Sequence, residues 1–113
     1  MSRPTPAPRG RTSEPEEEDR SWTLLTNHGR VLLLIAQDPR TRIRDLAEAA
    51  DITERSAQGI VTDLDRAGYL SRHKVGRRNE YVVNVSRPFR HPAEAAHTVG
   101  ELIEVFAHGA DDR

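Results

Sequence analysis

A mainly α chain with one small β-hairpin is the fold class this sequence predicts, and three observations predict it. Three consecutive segments carry apolar residues at helical spacing, and two short β-rich runs then flank a basic link containing glycine. After a proline-containing interruption, a last segment returns to helical spacing. The chain has 113 residues, enough for one domain with a modest core.

Each element follows from its residues. Residues 1–20 hold Pro4, Pro6, Pro8, Gly10 and Pro15, then the acidic run Glu16–Asp19, with no apolar side chain larger than Ala7 after Met1. Such a stretch has too little to bury to offset its ordering entropy, so it is predicted to be a disordered tail. Order is predicted from Ser21-Trp22. Thr26 or Asn27 can cap a first helix that runs to about Gln37, and its apolar run Val31–Ala36 suits a central, buried helix. Asp38-Pro39 stops it, because the residue before proline avoids helical dihedrals. Thr41-Arg42-Ile43 reads as a short extended piece, and Arg44 to about Ala50 as a second helix with Leu46, Ala47 and Ala50 on one face. Asp51-Ile52 makes a tight turn. Thr53 opens a third helix over 53–67, whose Ala57, Ile60, Val61 and Leu64 form one stripe, and Gly68 ends it. The runs 69–73 and 80–85, joined by the link Lys74–Asn79, form the hairpin, with the wing taken as 72–80. Pro88 and Pro92 exclude a helix between them. From Ala93 a final helix is predicted to about Ala107, with Val99, Leu102, Ile103 and Phe106 as its stripe and 108–113 as a second disordered tail. Helix, helix, tight turn, helix, basic hairpin is the order of a winged helix-turn-helix over 21–92, followed by a C-terminal helix at 93–107.

The formal net charge of −1 conceals an uneven distribution. Residues 1–20 carry −1, residues 21–92 carry +4 and residues 93–113 carry −4. Nearly all the basic side chains are arginine, Lys74 being the one lysine. Arginine suits bidentate contact with phosphate and guanine, although an Arg- and Ala-rich composition also follows from GC-rich coding. With no cysteine, disulfide scaffolds, thiolate zinc sites and cysteine nucleophiles are excluded. The longest apolar run spans six residues, far below the ~20 of a membrane helix, and Ser2–Arg20 has no secretory h-region. A cytoplasmic chain without a membrane partner is therefore expected.

The segment Ile43–Leu64 resembles the bacterial helix-turn-helix pattern in which Leu-Ala is followed by a turn, an aliphatic residue and Ser or Thr. Here these are Leu46-Ala47, Asp51, Ile52 and Thr53. The turn residue is Asp51 where glycine is usual, and aspartate tolerates left-handed dihedrals better than most residues. With Leu64–Leu70 and the Arg-rich hairpin added, residues 22–107 resemble the MarR-type winged-helix transcriptional regulators. The resemblance implies sequence-specific binding to double-stranded DNA. The third helix would enter the major groove with Thr53, Arg55, Ser56, Gln58, Gly59 and Thr62 outward. Arg55 suits guanine and Gln58 adenine, while Thr53 and Ser56 suit phosphate. Lys74, Arg77 and Arg78 of the wing would lie at the minor groove, and Arg42 and Arg44 against phosphates. In such proteins terminal helices form a two-fold dimer. That implies a homodimer built from Trp22, Leu24, Leu25, Val99, Leu102, Ile103 and Phe106.

Other chemistries are weaker in this sequence. His91 and the i, i+4 pair His97 and Glu101 are too few for a metal centre, so no metal or other cofactor is expected. No phosphate loop, nucleophile elbow or convergent acid pair points to an enzyme. The alternative from another class is a winged helix used as a protein-interaction module without DNA affinity. The sequence names neither the operator nor an effector ligand.

Overall fold

The structure, a computed structural model, describes residues 22–111, with side chains described through residue 107. The tail expected over 1–20 lies outside the described residues. Helix α1 spans Asn27–Gln37, and Thr26 caps it by accepting the Gly29 N–H at 3.1 Å. Val31, Leu32, Leu33 and Ile35 are buried, so this helix is covered on most sides, as its apolar run predicts. It ends at Asp38, where the backbone turns extended ahead of Pro39.

Helix α2, Ile43–Ala50, begins one residue before the expected start, and no strand forms at 41–43. Leu46, Ala47 and Ala50 are its buried face. The turn that follows explains the aspartate. Asp51 has φ 61° and ψ 47°, its N–H bonds to Glu48 O, and the Ile52 N–H reaches back to Ala47 O. That is a Schellman ending with Asp51 in the left-handed position that glycine usually takes. Thr53 then caps α3, Glu54–Arg66, accepting the Ser56 N–H at 3.0 Å. The predicted stripe of Ala57, Ile60, Val61 and Leu64 is buried. A second Schellman ending follows, with Gly68 at φ 85° and the Tyr69 N–H on Leu64 O at 2.9 Å.

Strands β1, Leu70–Val75, and β2, Arg78–Val83, pair antiparallel from Leu70↔Val83 to Val75↔Arg78. The loop is thus Gly76-Arg77 alone, with Gly76 at φ 64° in the first turn position. The hairpin is longer at its tip than its β-rich runs suggest, so Lys74 and Arg78 stand in strands and Arg77 at the turn. The far edge of β2 is also occupied. The Tyr81 N–H donates to Pro39 O at 2.9 Å, and the Arg78 guanidinium donates to Arg40 O at 2.6 Å.

The final helix corrects the sequence reading at both ends. Helix α4 spans Val99–Asp111 rather than starting at Ala93 and stopping near Ala107. The residues before it are tied to the hairpin's exit: Phe89 N–H to His97 O, Val99 N–H to Arg87 O and Gly100 N–H to Val85 O. Those bonds hold 87–89 and 97–100 side by side, and helical dihedrals at 93–98 would break them. Thr98 and Glu101 form the Glu half of a capping box, with Glu101 Oε2 accepting the Thr98 N–H at 3.2 Å while the Glu101 N–H donates to Thr98 O. A Cβ on Gly100 would stand 2.9 Å from Val85 O, so this close approach requires glycine.

The His97 imidazole, 2.6 Å from Glu101 Oε1, and the Thr98 amide together lower the Glu101 carboxyl below its ordinary 4.5. A depressed folded value means the cap's contribution is present above the unfolded value and is lost as pH falls through the folded one. The protection of the Thr98–Glu101 amide protons, relative to their intrinsic exchange rates, should therefore fall as the solution is acidified below about pH 4.5. Glu101→Ala should remove that dependence while leaving α3 protected.

Val31, Ile35, Leu46, Val61 and Val99 are the most deeply buried large side chains, joined in one core by Tyr69, Leu70 and Tyr81. Helices α1, α2 and α3 pack around it, the hairpin closes one side, and α4 adds Val99 and Ile103.

Candidate nucleic-acid interface

Burying one stripe of α3 forces the opposite face outward. Arg55, Ser56, Gln58 and Gly59 are exposed and Thr62 is half-buried. Among the described residues, the Arg55 and Gln58 side chains make no hydrogen bond or ion pair. Thr53 is partly committed: its hydroxyl oxygen accepts the capping bond, while its O–H remains able to donate. The structure therefore brings the six predicted helix residues onto one free face and its leading end.

The two acids further along α3 are not left facing solvent unpaired. His28 Nε2 of α1 lies 2.8 Å from Asp63 Oδ2, and Arg72 Nε of β1 lies 3.0 Å from Asp65 Oδ2. The Arg72 guanidinium thus offsets the charge of Asp65 and the His28 imidazole hydrogen-bonds Asp63, although such exposed pairs add little stability.

The basic residues of the wing and of α2 meet. Thr41, Arg42, Ile43, Arg77, Arg78, Asn79 and Tyr81 line an open cleft of about 270 Å³, and no acid is among them. Arg42 is the N-cap residue of α2 and is exposed, and its guanidinium makes no hydrogen bond or ion pair among the described residues. Arg78 differs from its sequence neighbour. Its bond to Arg40 O ties the wing, just beyond its turn, to the loop after α1, whereas the side chains of Arg77 at the turn and Lys74 on β1 make no hydrogen bond or ion pair among the described residues. Arg44 is exposed on the first turn of α2. Sequence reasoning missed the Pro39–Arg40 carbonyls that receive β2, because nothing in their side chains signals a backbone contact.

The expected dimer residues divide. Leu24 is 91 % exposed, Trp22 74 % and Phe106 41 %, with Leu25 and Leu102 half-buried. Val105, outside the predicted stripe, is also exposed. Leu24, Leu25, Leu32, Phe89 and Leu102 line a broad groove of about 910 Å³. Val99, by contrast, is 1 % exposed and belongs to the chain's own core, which corrects its assignment to an interface. Ile103 packs against that same core and is only partly open.

Among the described residues no group of three or more His, Cys, Asp or Glu is gathered for a metal. His91 Nδ1 accepts the Ala93 N–H, and His97 is engaged by Glu101. No described helix is long and apolar enough to cross a membrane.

No family model and no curated protein matches the sequence. Solved structures do match the fold. MepR, a transcription regulator of the Staphylococcus aureus multidrug efflux pump MepA, superposes with a TM-score of 0.51 at 18 % identity over 85 % of this chain and 64 % of its own. A mutant MepR from a multidrug-resistant S. aureus clinical isolate gives 0.51 at 19 % identity, over 88 % and 64 %. A second MepR mutant gives 0.52 at 16 %, over 88 % and 66 %. The chain thus spans just under two thirds of the length of these structures. In its helix-turn-helix, its two-stranded wing and the helix that follows, the chain has the winged helix-turn-helix fold expected of it and shares that fold with these structures.

Proposed function

We propose that this chain is a sequence-specific double-stranded DNA-binding transcriptional regulator that acts as a homodimer. The observation that carries the reading is the acid-free cleft in which Arg42 meets Arg77 and Arg78, on a domain whose α3 leaves its outward face unpartnered. In this reading α3 lies in the major groove. Arg55 donates to guanine, Gln58 pairs with adenine, and Thr53, Ser56 and Thr62 complete the contact. Lys74 and Arg77 reach the minor groove or its phosphates, while Arg42, Arg44 and Arg78 hold the backbone on either side. The fold likeness to MepR, described as a transcription regulator, supports the same reading.

The dimer is proposed from Trp22, Leu24, Leu25, Leu102, Ile103 and Phe106, without Val99. Large apolar side chains as open as Leu24 and Trp22, beside an apolar groove, favour a covered surface. A two-fold dimer reads an inverted repeat with half-sites about one helical turn apart.

Selection from random duplexes tests the DNA reading. The expected result is an enriched inverted repeat whose affinity falls linearly with log salt. No enrichment, or binding indifferent to salt, would favour a protein-interaction module. Sedimentation at micromolar concentration tests the dimer. The wild-type chain should run as a dimer, and Leu24→Glu with Phe106→Glu should yield a folded monomer. A wild-type monomer would overturn the proposed interface.

A further inference from the structure

Gly59 sits mid-helix on the exposed face of α3, where glycine is among the poorest residues for helix stability. Three of the other described glycines have an internal reason, whereas Gly29 in the first turn of α1, like Gly59, has neither positive φ nor a close neighbour. Gly68 and Gly76 take positive φ, of 85° and 64°, and a Cβ on Gly100 would strike Val85 O at 2.9 Å. Gly59 has neither feature: its φ is not positive and an added Cβ would meet nothing within 4 Å. Nothing among the described residues asks for a missing side chain here. The position is also central to the outward face, with Arg55 and Ser56 one turn before it and Thr62 and Asp63 one turn after.

We propose that Gly59 is the point of closest approach between α3 and double-stranded DNA, and that its missing side chain determines how deeply the helix seats. This rests on the DNA-binding reading above and adds a specificity-determining residue to it. A helix with its side chains is about 10–12 Å across and the major groove about 12 Å wide, so the fit leaves little slack. A bare backbone at Gly59 lets the helix sink until Arg55 and Gln58 reach base edges. A methyl group at that position lifts the helix from the groove floor and lengthens those hydrogen bonds. Binding to non-cognate duplexes, which rests on phosphate contacts alone, does not use the seated position.

The test uses the full chain with Gly59→Ala and Gly59→Leu, a duplex enriched by selection and a scrambled duplex of equal length. Thermal unfolding and fluorescence polarisation are measured for each. Alanine should raise the unfolding midpoint by roughly 2–8 °C, because it is the better helix former. The same variant should lose about ten-fold or more in affinity for the selected duplex, and leucine should lose more. Affinity for the scrambled duplex should stay within about two-fold, since every phosphate-binding side chain is still present. Stability and specific binding therefore move in opposite directions. Raised midpoints with unchanged specific affinity would overturn the proposal, as would a lowered midpoint with alanine, which would reveal an internal role for the glycine. A wild-type chain that binds no duplex selectively would instead remove the DNA reading, before any variant is made.

Discussion

Changing Arg42, Arg77 and Arg78 together to alanine is expected to weaken binding to every duplex, selected or scrambled, on the order of a hundred-fold at low salt. The slope of log affinity against log salt should flatten by about 0.9 for each phosphate that is no longer neutralised. The reason is geometric: Arg42, Arg77 and Arg78 line one cleft with no acid among its lining residues. Gln58→Ala should behave differently, losing roughly 1–3 kcal/mol of discrimination at one base position with the salt slope unchanged. If the cleft variant and Gln58→Ala give the same pattern, α3 is not the element that reads sequence. Within the cleft the single changes should also differ. On the proposed reading Arg77→Ala removes one phosphate contact, whereas Arg78→Ala also breaks the bond that ties the wing near its tip to Arg40 O.

Leu46→Ala should be the most damaging core substitution in the helix-turn-helix. Leu46 is 1 % exposed and sits on the buried face of α2, in the same core cluster as Ile60, Val61 and Leu64 of α3. Removing it costs the transfer energy of the deleted atoms plus a cavity, about 2–5 kcal/mol. Small domains have only about 5–15 kcal/mol in total, so the variant is expected near the edge of folding at 37 °C. Urea unfolding followed by circular dichroism should show the midpoint falling with little change in slope. Leu46→Met, which nearly conserves volume, should cost less than about 1.5 kcal/mol. Equal losses for the two would mean that packing under α2 is looser than its burial indicates.

The helix-turn-helix is legible in the sequence because its signals are local. The stripe of Ala57, Ile60, Val61 and Leu64 reports which face of α3 is buried, and therefore which residues face outward. Thr26 and Thr53 announce their helices by capping chemistry, and Asp51 adopts the left-handed turn that its short polar side chain tolerates. Sequence and structure part where a distant backbone decides. Helix α4 starts at Val99 because Arg87, Phe89 and Val85 bond to residues 97–100, pairings that no helical period reveals. A local signal does exist there: Thr98 followed three residues later by Glu101 has the capping-box pattern, and Glu101 accepts the Thr98 N–H at the true start. Val99 departs from expectation for a related reason. A stripe says that a face is apolar, but not whether its own domain or a partner covers it. The hairpin runs past its β-rich stretches because Lys74 and Arg78 are held by cross-strand bonds rather than by propensity.

The lacing of β2 to the loop after α1 has a thermodynamic consequence for recognition. Tyr81 N–H on Pro39 O and Arg78 on Arg40 O anchor the hairpin along its length, which leaves Gly76-Arg77 at the tip as the segment with freedom to lose. Each rotamer-rich side chain immobilised at an interface costs about 0.5–1.5 kcal/mol, and a whole flapping arm would cost several times that. Here most of that ordering was completed when the chain folded. On the DNA-binding reading, the wing would meet the duplex already laced to the helical body, and the entropy of docking would fall on the tip turn and the Lys74 side chain.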